Sequence, residues 1–255
     1  MSLRERTRPG RQLKPHVSLP RVTLVAVSSV NIDETHAALL HCVDQIEFGA
    51  AKFLCSQKPS RPDRRVEYVA IPPLDYLGYS RFMIQSLAAY VQTDHCLIIQ
   101  ADGFVLHPQR WRDDFLQYDY IGAPWPDTLY VRSMPLHLRN TVGNGGFSLR
   151  SKRLLDLIST VPFDQLVNQI RFPTMSEDLL ICHFLFDSLV AQGIKFAPQR
   201  LAARFSIETK LHRFGQSLDN VFGFHGKDWV AEVSKRVAGQ FDGNGNRLPT
   251  QEQPR

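Results

Sequence analysis

The sequence predicts an α/β fold in a single domain, a mostly parallel central sheet with helices on both faces. Three observations carry this. From residue 22 onward, short apolar runs alternate with stretches of helical periodicity. The candidate strands at 22–27 and 96–99 are near-continuous apolar runs rather than apolar at every second residue, as strands covered on both faces must be. At 255 residues, 43% hydrophobic and 22% charged, the chain can bury one substantial core.

The elements follow in order. Residues 22–27 (VTLVAV) read as a buried strand, and residues 33–46 as a helix. Residues 52–55 and 66–71 are two further strands. Met83, Leu87, Tyr90 and Val91 then fall on one face of a helix, which leads into the apolar run 96–99. In such sheets ligands bind where strands end at their carboxyl edge, so Gln100-Ala101-Asp102-Gly103 is the first place to look for chemistry. Beyond it lie an amphipathic helix near 108–117, a Pro-containing loop, a strand over 147–150, two short helices, and a longer helix from Glu177 to about residue 191.

The net charge of +5 is concentrated at the N-terminus, where Arg4, Arg6, Arg8, Arg11, Lys14 and Arg21 face only Glu5; the remaining residues are balanced. This disfavours nucleic-acid binding. Residues 1–20 are expected to form a disordered basic leader with at most peripheral contact to anionic lipid. Residues 21–237 form the domain, and 238–255 a loose tail. The longest apolar stretch, 179–191, is interrupted by His183 and Asp187, too short and too polar to span a bilayer. With no apolar h-region near the start and four scattered cysteines, Cys42, Cys55, Cys96 and Cys182, reduced thiols in a cytoplasmic protein are expected.

Several residues carry chemistry. Asp102, at a strand end, is a hard oxygen ligand for a cation on a diphosphate, or else a turn former with Gly103. Glu177 and Asp178 open a helix. Thr174 and Glu177 match a capping box, which would leave Asp178 as a general base. The Gly143-Asn144-Gly145-Gly146 stretch lacks the spacing of a dinucleotide or P-loop motif. Its glycines permit close backbone approach to a ligand or serve a tight turn, and Asn144 can hydrogen-bond a hydroxyl-rich substrate. His225, between aromatic and glycine residues, is structural or a third ligand for a divalent ion. Trp125 can stack on a sugar or simply pack.

Together, the blocks Gln100-Ala-Asp-Gly-Phe104, Tyr118-Asp-Tyr-Ile-Gly-Ala-Pro-Trp125, Val142-Gly-Asn-Gly-Gly-Phe-Ser-Leu-Arg150, Glu177-Asp178 and Phe222-Gly-Phe-His225 resemble an uncharacterised glycosyltransferase-like family of bacterial surface-polysaccharide loci. The resemblance covers roughly residues 20–230 and implies a GT-A-like, Rossmann-like domain. It implies a metal-dependent transfer from a nucleotide-sugar donor to a glycan or glycolipid acceptor, inverting if the acidic pair supplies the base. It places Gln100-Ala101-Asp102 where GT-A enzymes carry a DxD motif, with Gln100 replacing the first acid. Asp102 and His225 would then hold manganese or magnesium. Gly145 and Gly146 would line the donor sugar, Trp125 the acceptor side, and Ser28, Tyr79 and Arg81 would face the nucleotide. The rivals are a nucleotidyltransferase, disfavoured because Ser28-Ser-Val-Asn31 lacks glycine and base, and a catalytically silent nucleotide- or sugar-binding module.

Overall fold

The computed structural model describes residues 17–238 with the exception of Pro173. In chain order the first half contains β1 (Val17–Ser28), α1 (Ile32–Val43), β2 (Ile46–Cys55), β3 (Glu67–Ala70), α2 (Tyr76–Gln85) and β4 (His95–Ile99). The second half contains β5 (Tyr120–Ile121), β6 (Ala123–Pro124), β7 (Thr128–Val131), β8 (Met134–His137), β9 (Val142–Gly143), β10 (Ser148–Ser151), α3 (Lys152–Ser159) and α4 (Phe163–Ile170). It closes with α5 (Glu177–Leu179), α6 (Phe186–Ala191), α7 (Gln199–Phe205), β11 (Ser206–Ile207), β12 (Gly223–Phe224) and α8 (Lys227–Ala238).

The central sheet has six strands in the order β3-β2-β1-β4-β10-β5. β1 runs parallel to β2 and β4, and β2 parallel to β3, while β10 is antiparallel to both its neighbours. The apolar runs of β1 are buried on both faces because both faces are covered. Leu24 and Ala26 enter a core shared with Leu39, Phe53 and four phenylalanines at positions 115, 147, 205 and 222. Val25 and Val27 enter a second core with Met83, Leu87, Leu154 and Ile158 beneath α2 and α3. This is the mostly parallel, helix-flanked sheet that the alternation predicts.

Several local expectations change. The helix read over 33–46 ends at Val43, β2 already starts at Ile46 rather than at residue 52, and the Pro-containing loop holds the antiparallel β7–β8 hairpin. The strand predicted from residue 22 begins at Val17, inside the stretch read as leader, and Val17, Ser18 and Leu19 pair with Ile46, Glu47 and Phe48. The register then shifts before Thr23, and that irregularity accommodates Pro20, which has no N–H to give a ladder. Residues 1–16 of the leader and 239–255 of the tail lie outside the described residues. The helix near 108–117 is instead two 3₁₀ turns, Pro108–Arg110 and Asp113–Gln117. Asp113 there accepts from the Trp111 indole and Asp114 from Arg112, local bonds that compete with a regular helix.

The helix carrying Met83 ends at Gln85, and Leu87–Tyr90 continue as a 3₁₀ turn, yet Met83, Leu87 and Val91 stay buried on one side. The helix expected over 177–191 is broken into α5, a π turn over Leu180–Phe184, and α6. Leu185 N–H reaches back five residues to Leu180 (2.9 Å), a bulge of the kind that recurs near functional sites. All four cysteines are free and buried. Burial pushes the Cys42 and Cys96 thiols up to about 12, which keeps them neutral and unreactive. Among the described residues no helix is long and apolar enough to cross a membrane.

Candidate functional site

The chain leaves β4 in a tight turn closed by two backbone bonds between Gln100 and Gly103 (2.9 and 3.1 Å). This turn presents Asp102 and Gln100 at the carboxyl edge of the sheet. β12 is brought to the same edge because Phe224 N–H bonds Phe104 (3.3 Å) and Gly226 N–H bonds the Asp102 carbonyl (2.8 Å). The result sets His225 Nε2 3.6 Å from Asp102 Oδ1 and 3.2 Å from Gln100 Oε1. The Gln100 amide N–H donates to the Tyr79 hydroxyl (2.8 Å), so Tyr79 belongs to the same group. On the other side of the ring, Nδ1 lies 3.2 Å from Glu208 Oε1. Burial, the largest influence on His225, disfavours its charged form. The bond to Glu208 and the charges of Glu208, Asp102 and Asp178 outweigh burial and raise its pKa.

The glycine-rich loop lies directly against this group. Asn144 has φ 74°, and its side-chain oxygen accepts from Gly146 N–H (2.9 Å) and Phe147 N–H (3.3 Å). Its carbonyl accepts from the Tyr120 hydroxyl (2.9 Å), and the residue is fully buried. Asn144 Oδ1 therefore shapes the loop from within, while its buried Nδ2 has no partner among the described residues. The next two glycines are also filled from the protein side. A Cβ on Gly145 would stand 2.0 Å from Glu177 Oε1, and one on Gly146 would stand 2.1 Å from His225 Nε2. The room left by the missing side chains is taken by Glu177 and His225, not by open space for a ligand.

Glu177 does not cap a helix. The residue at the start of α5 is Ser176, and Glu177 is buried and paired with the fully buried Arg150 at 3.1 Å. The capping-box reading fails because the guanidinium outcompetes a single backbone N–H for the carboxylate. Burial and then the adjacent Asp178 charge raise the Glu177 pKa, opposed by Arg150. Asp178 points the other way. Its Oδ1 accepts from the Ser176 hydroxyl and Leu179 N–H (2.8 Å), and its Oδ2 accepts from Gly145 N–H (2.9 Å). It lines a cleft of about 420 Å³ together with Trp125, Leu129, Glu208, Thr209 and Asp228.

The remaining expected residues divide. Trp125 lines the cleft but is only 4% exposed. Its ring packs against Gly143 and its indole N–H donates to Glu208 Oε2 (2.9 Å), so it is a fixed wall rather than an open stacking face. Ser28 ends β1 at the same sheet edge, with its hydroxyl bonded to the Val30 carbonyl. Arg81 is turned away; it pairs with Asp164 (2.5 Å) and lies over the Phe163 ring. Sequence reasoning missed Glu208 and Arg150. Arg150 sat in plain view at the end of GNGGFSLR, but its partner lies 27 residues away. Glu208, in an ordinary Ile-Glu-Thr loop, carried no local signal.

Asp102 Oδ1 and Gln100 Oε1 both approach His225 Nε2; a carboxylate, an imidazole and an amide oxygen are a donor set that suits a hard or borderline divalent ion. Among the described residues no three His, Cys, Asp or Glu side chains converge as a metal cage. The protein would thus supply two strong ligands, with Gln100 as a weak third.

A family model described as a protein of unknown function (DUF5672) matches residues 70–225, so β1 and β2 fall outside the matched stretch. No curated protein matches the chain. Among solved structures, a glycosyltransferase involved in glycosylation of the major capsid of PBCV-1 is 11% identical, with a TM-score of 0.50 over 86% of this chain and 98% of that one. This likeness is one of fold. The apo-form glycosyltransferase GlyE of Streptococcus pneumoniae TIGR4 is 11% identical, with a TM-score of 0.46 over 91% of this chain and 66% of that one. The bifunctional IspDF of Campylobacter jejuni is 8% identical, with a TM-score of 0.39 over 68% of this chain and 54% of that one.

Proposed function

The chain belongs to the DUF5672 family, and from that premise we propose that it is a glycosyltransferase moving a sugar from a nucleotide-sugar onto a hydroxyl of a glycan or glycolipid. One observation carries the reading. The Gly145-Gly146 backbone is wedged between Asp178 and Glu177 on one side and His225 and Gln100 on the other. Sugar transfer needs two such groups side by side, one for the departing diphosphate and one for the attacking hydroxyl.

Asp178 is the base. It faces the cleft with both oxygens steadied by donors, and it takes the acceptor proton as the new bond to the sugar forms and the bond to the diphosphate breaks. A base on the face opposite the leaving group makes the transfer inverting. Asp102 and His225, with Gln100 Oε1, would hold a manganese or magnesium ion, which supplies positive charge to the departing diphosphate when bound. Tyr79 and Ser28 border the donor end, and Trp125 walls the acceptor end. Arg81 has no part in this reading. Glu177 supports the site through Arg150. Surface-polysaccharide assembly at the cytoplasmic face of a membrane would suit the basic residues that precede β1.

Thermal shift with nucleoside diphosphates and nucleotide-sugars, with and without manganese, tests the donor site. Binding at a hundredfold excess over Kd stabilises by about 2.7 kcal/mol. The expected result is a shift with one nucleotide family that manganese enhances, with the enhancement lost in Asp102→Ala. No shift with any nucleotide would sink the reading.

Gln100 favours a second reading, a silent binding module, since one acid holds a cation less tightly than two. Manganese-dependent hydrolysis of a bound nucleotide-sugar separates the two readings. Binding without any turnover of donor would support the module.

A further inference from the structure

We propose that Glu208 is a positioning residue that sets which nitrogen of His225 faces Asp102 and ties that choice to the Trp125 wall. Glu208 follows β11 directly, and its two carboxylate oxygens reach different parts of the site. Oε1 lies 3.2 Å from His225 Nδ1, and Oε2 accepts from the Trp125 indole at 2.9 Å. Its carbonyl accepts from the Trp229 indole at 2.6 Å, so the backbone as well as the side chain is held. A neutral imidazole carries one N–H, and its neighbours decide where.

Two acceptors compete from the Nε2 side. Gln100 Oε1 is as near as Glu208, at 3.2 Å, but uncharged. Asp102 is charged but farther, at 3.6 Å. Glu208 combines charge with the shorter distance, and hydrogen bonds to ionised acceptors are the stronger ones. The hydrogen therefore sits on Nδ1, and the Nε2 lone pair points at Asp102 and Gln100. Ligating imidazoles are commonly oriented in this way by an outer carboxylate. Because an indole only donates, the Trp125 bond holds Oε2 in place and leaves Oε1 for the histidine. One carboxylate thus couples the Asp102–Gln100–His225 group to the Trp125 wall of the cleft. The use of that lone pair rests on the glycosyltransferase reading; the position of the hydrogen does not.

The test begins with the metal-free full chain. ¹⁵N NMR of the His225 ring, at a pH above its titration, reads the tautomer directly. The expected result is Nδ1–H in the unaltered protein. Glu208→Ala should move the hydrogen to Nε2 and weaken manganese binding roughly 10- to 100-fold by calorimetry. Glu208→Gln removes the charge that decides between the two sides, and its amide can accept from the Trp125 indole while its NH2 donates to Nδ1, so the hydrogen should move to Nε2 with the tryptophan emission little changed. An Nε2–H tautomer in the unaltered protein overturns the proposal whether or not either variant folds. So does Glu208→Ala with an unchanged tautomer and unchanged manganese affinity. If the unaltered protein binds no manganese, the donor-site reading fails, and the tautomer alone judges Glu208.

Discussion

Asp178→Asn should lower transfer roughly 10²- to 10⁴-fold, the span that a positioned general base contributes. Asparagine has nearly the same shape; its amide oxygen can still accept from Gly145 N–H and its NH2 can donate to the Ser176 hydroxyl, so the loop should hold its place at the cost of the Leu179 N–H bond. What it lacks is the ability to take a proton. Nucleotide affinity, read by thermal shift or calorimetry, should therefore remain near that of the unaltered protein while turnover collapses. The loss should fall on kcat rather than on the donor KM, since the change removes an interaction made as the hydroxyl is deprotonated. Retained turnover in a folded Asp178→Asn protein would mean that the base is elsewhere, and Glu177 is a poor substitute because Arg150 already occupies it.

The second large effect is on stability. Glu177→Ala should destabilise the protein by about 3–5 kcal/mol, because it leaves the guanidinium of Arg150 buried without a carboxylate. Arg150 also bonds Ser148 Oγ (3.1 Å) and lies over the Tyr120 ring, but neither neighbour carries a negative charge to offset it. Adding Arg150→Met should recover much of the loss, since no charge then remains buried. Urea unfolding of the two single variants and the double variant, compared at equal m-values, decides the matter. Simple additivity of the two single changes would show that the pair is not coupled.

Much of this fold was legible because a sheet covered on both faces writes itself as continuous apolar runs. The run ending at Ile99 located the sheet edge and hence Asp102, and the GNGG stretch announced a loop. What escaped was the partner of each residue. Pro20 and Arg21 made the start of β1 look like leader, because a strand that tolerates proline through a register shift has no pattern of its own. Thr174 and Glu177 mimicked a cap, and only the position of Arg150 shows where that carboxylate goes. For Asn144 and Trp125 the residue type says what a side chain can bond but not how far it is buried, and the structure makes both of them inner walls. Glu208 was invisible for the same reason, since its contacts are 17 and 83 residues away.

The packed phenylalanines have a consequence for how the molecule becomes native. Phe147, Phe205 and Phe222 lie with ring centres 5.1 to 5.9 Å apart, and Phe115 stands edge-on to Phe205 at 5.2 Å. They draw together stretches far apart in the chain, and His225 meets Gln100 across 125 residues. Closing loops of that length costs entropy before any contact repays it, so such pairings form late. The β1–β2–β4 layers, linked by nearer neighbours, can assemble earlier. Pulse-labelled amide exchange during refolding should accordingly protect Leu24 and Ile98 ahead of Phe224. Simultaneous protection would contradict this order. A nascent chain would then own its sheet edge and the Gln100–Gly103 turn well before it owns His225 beside them, and the site would be complete only with the final aromatic lock.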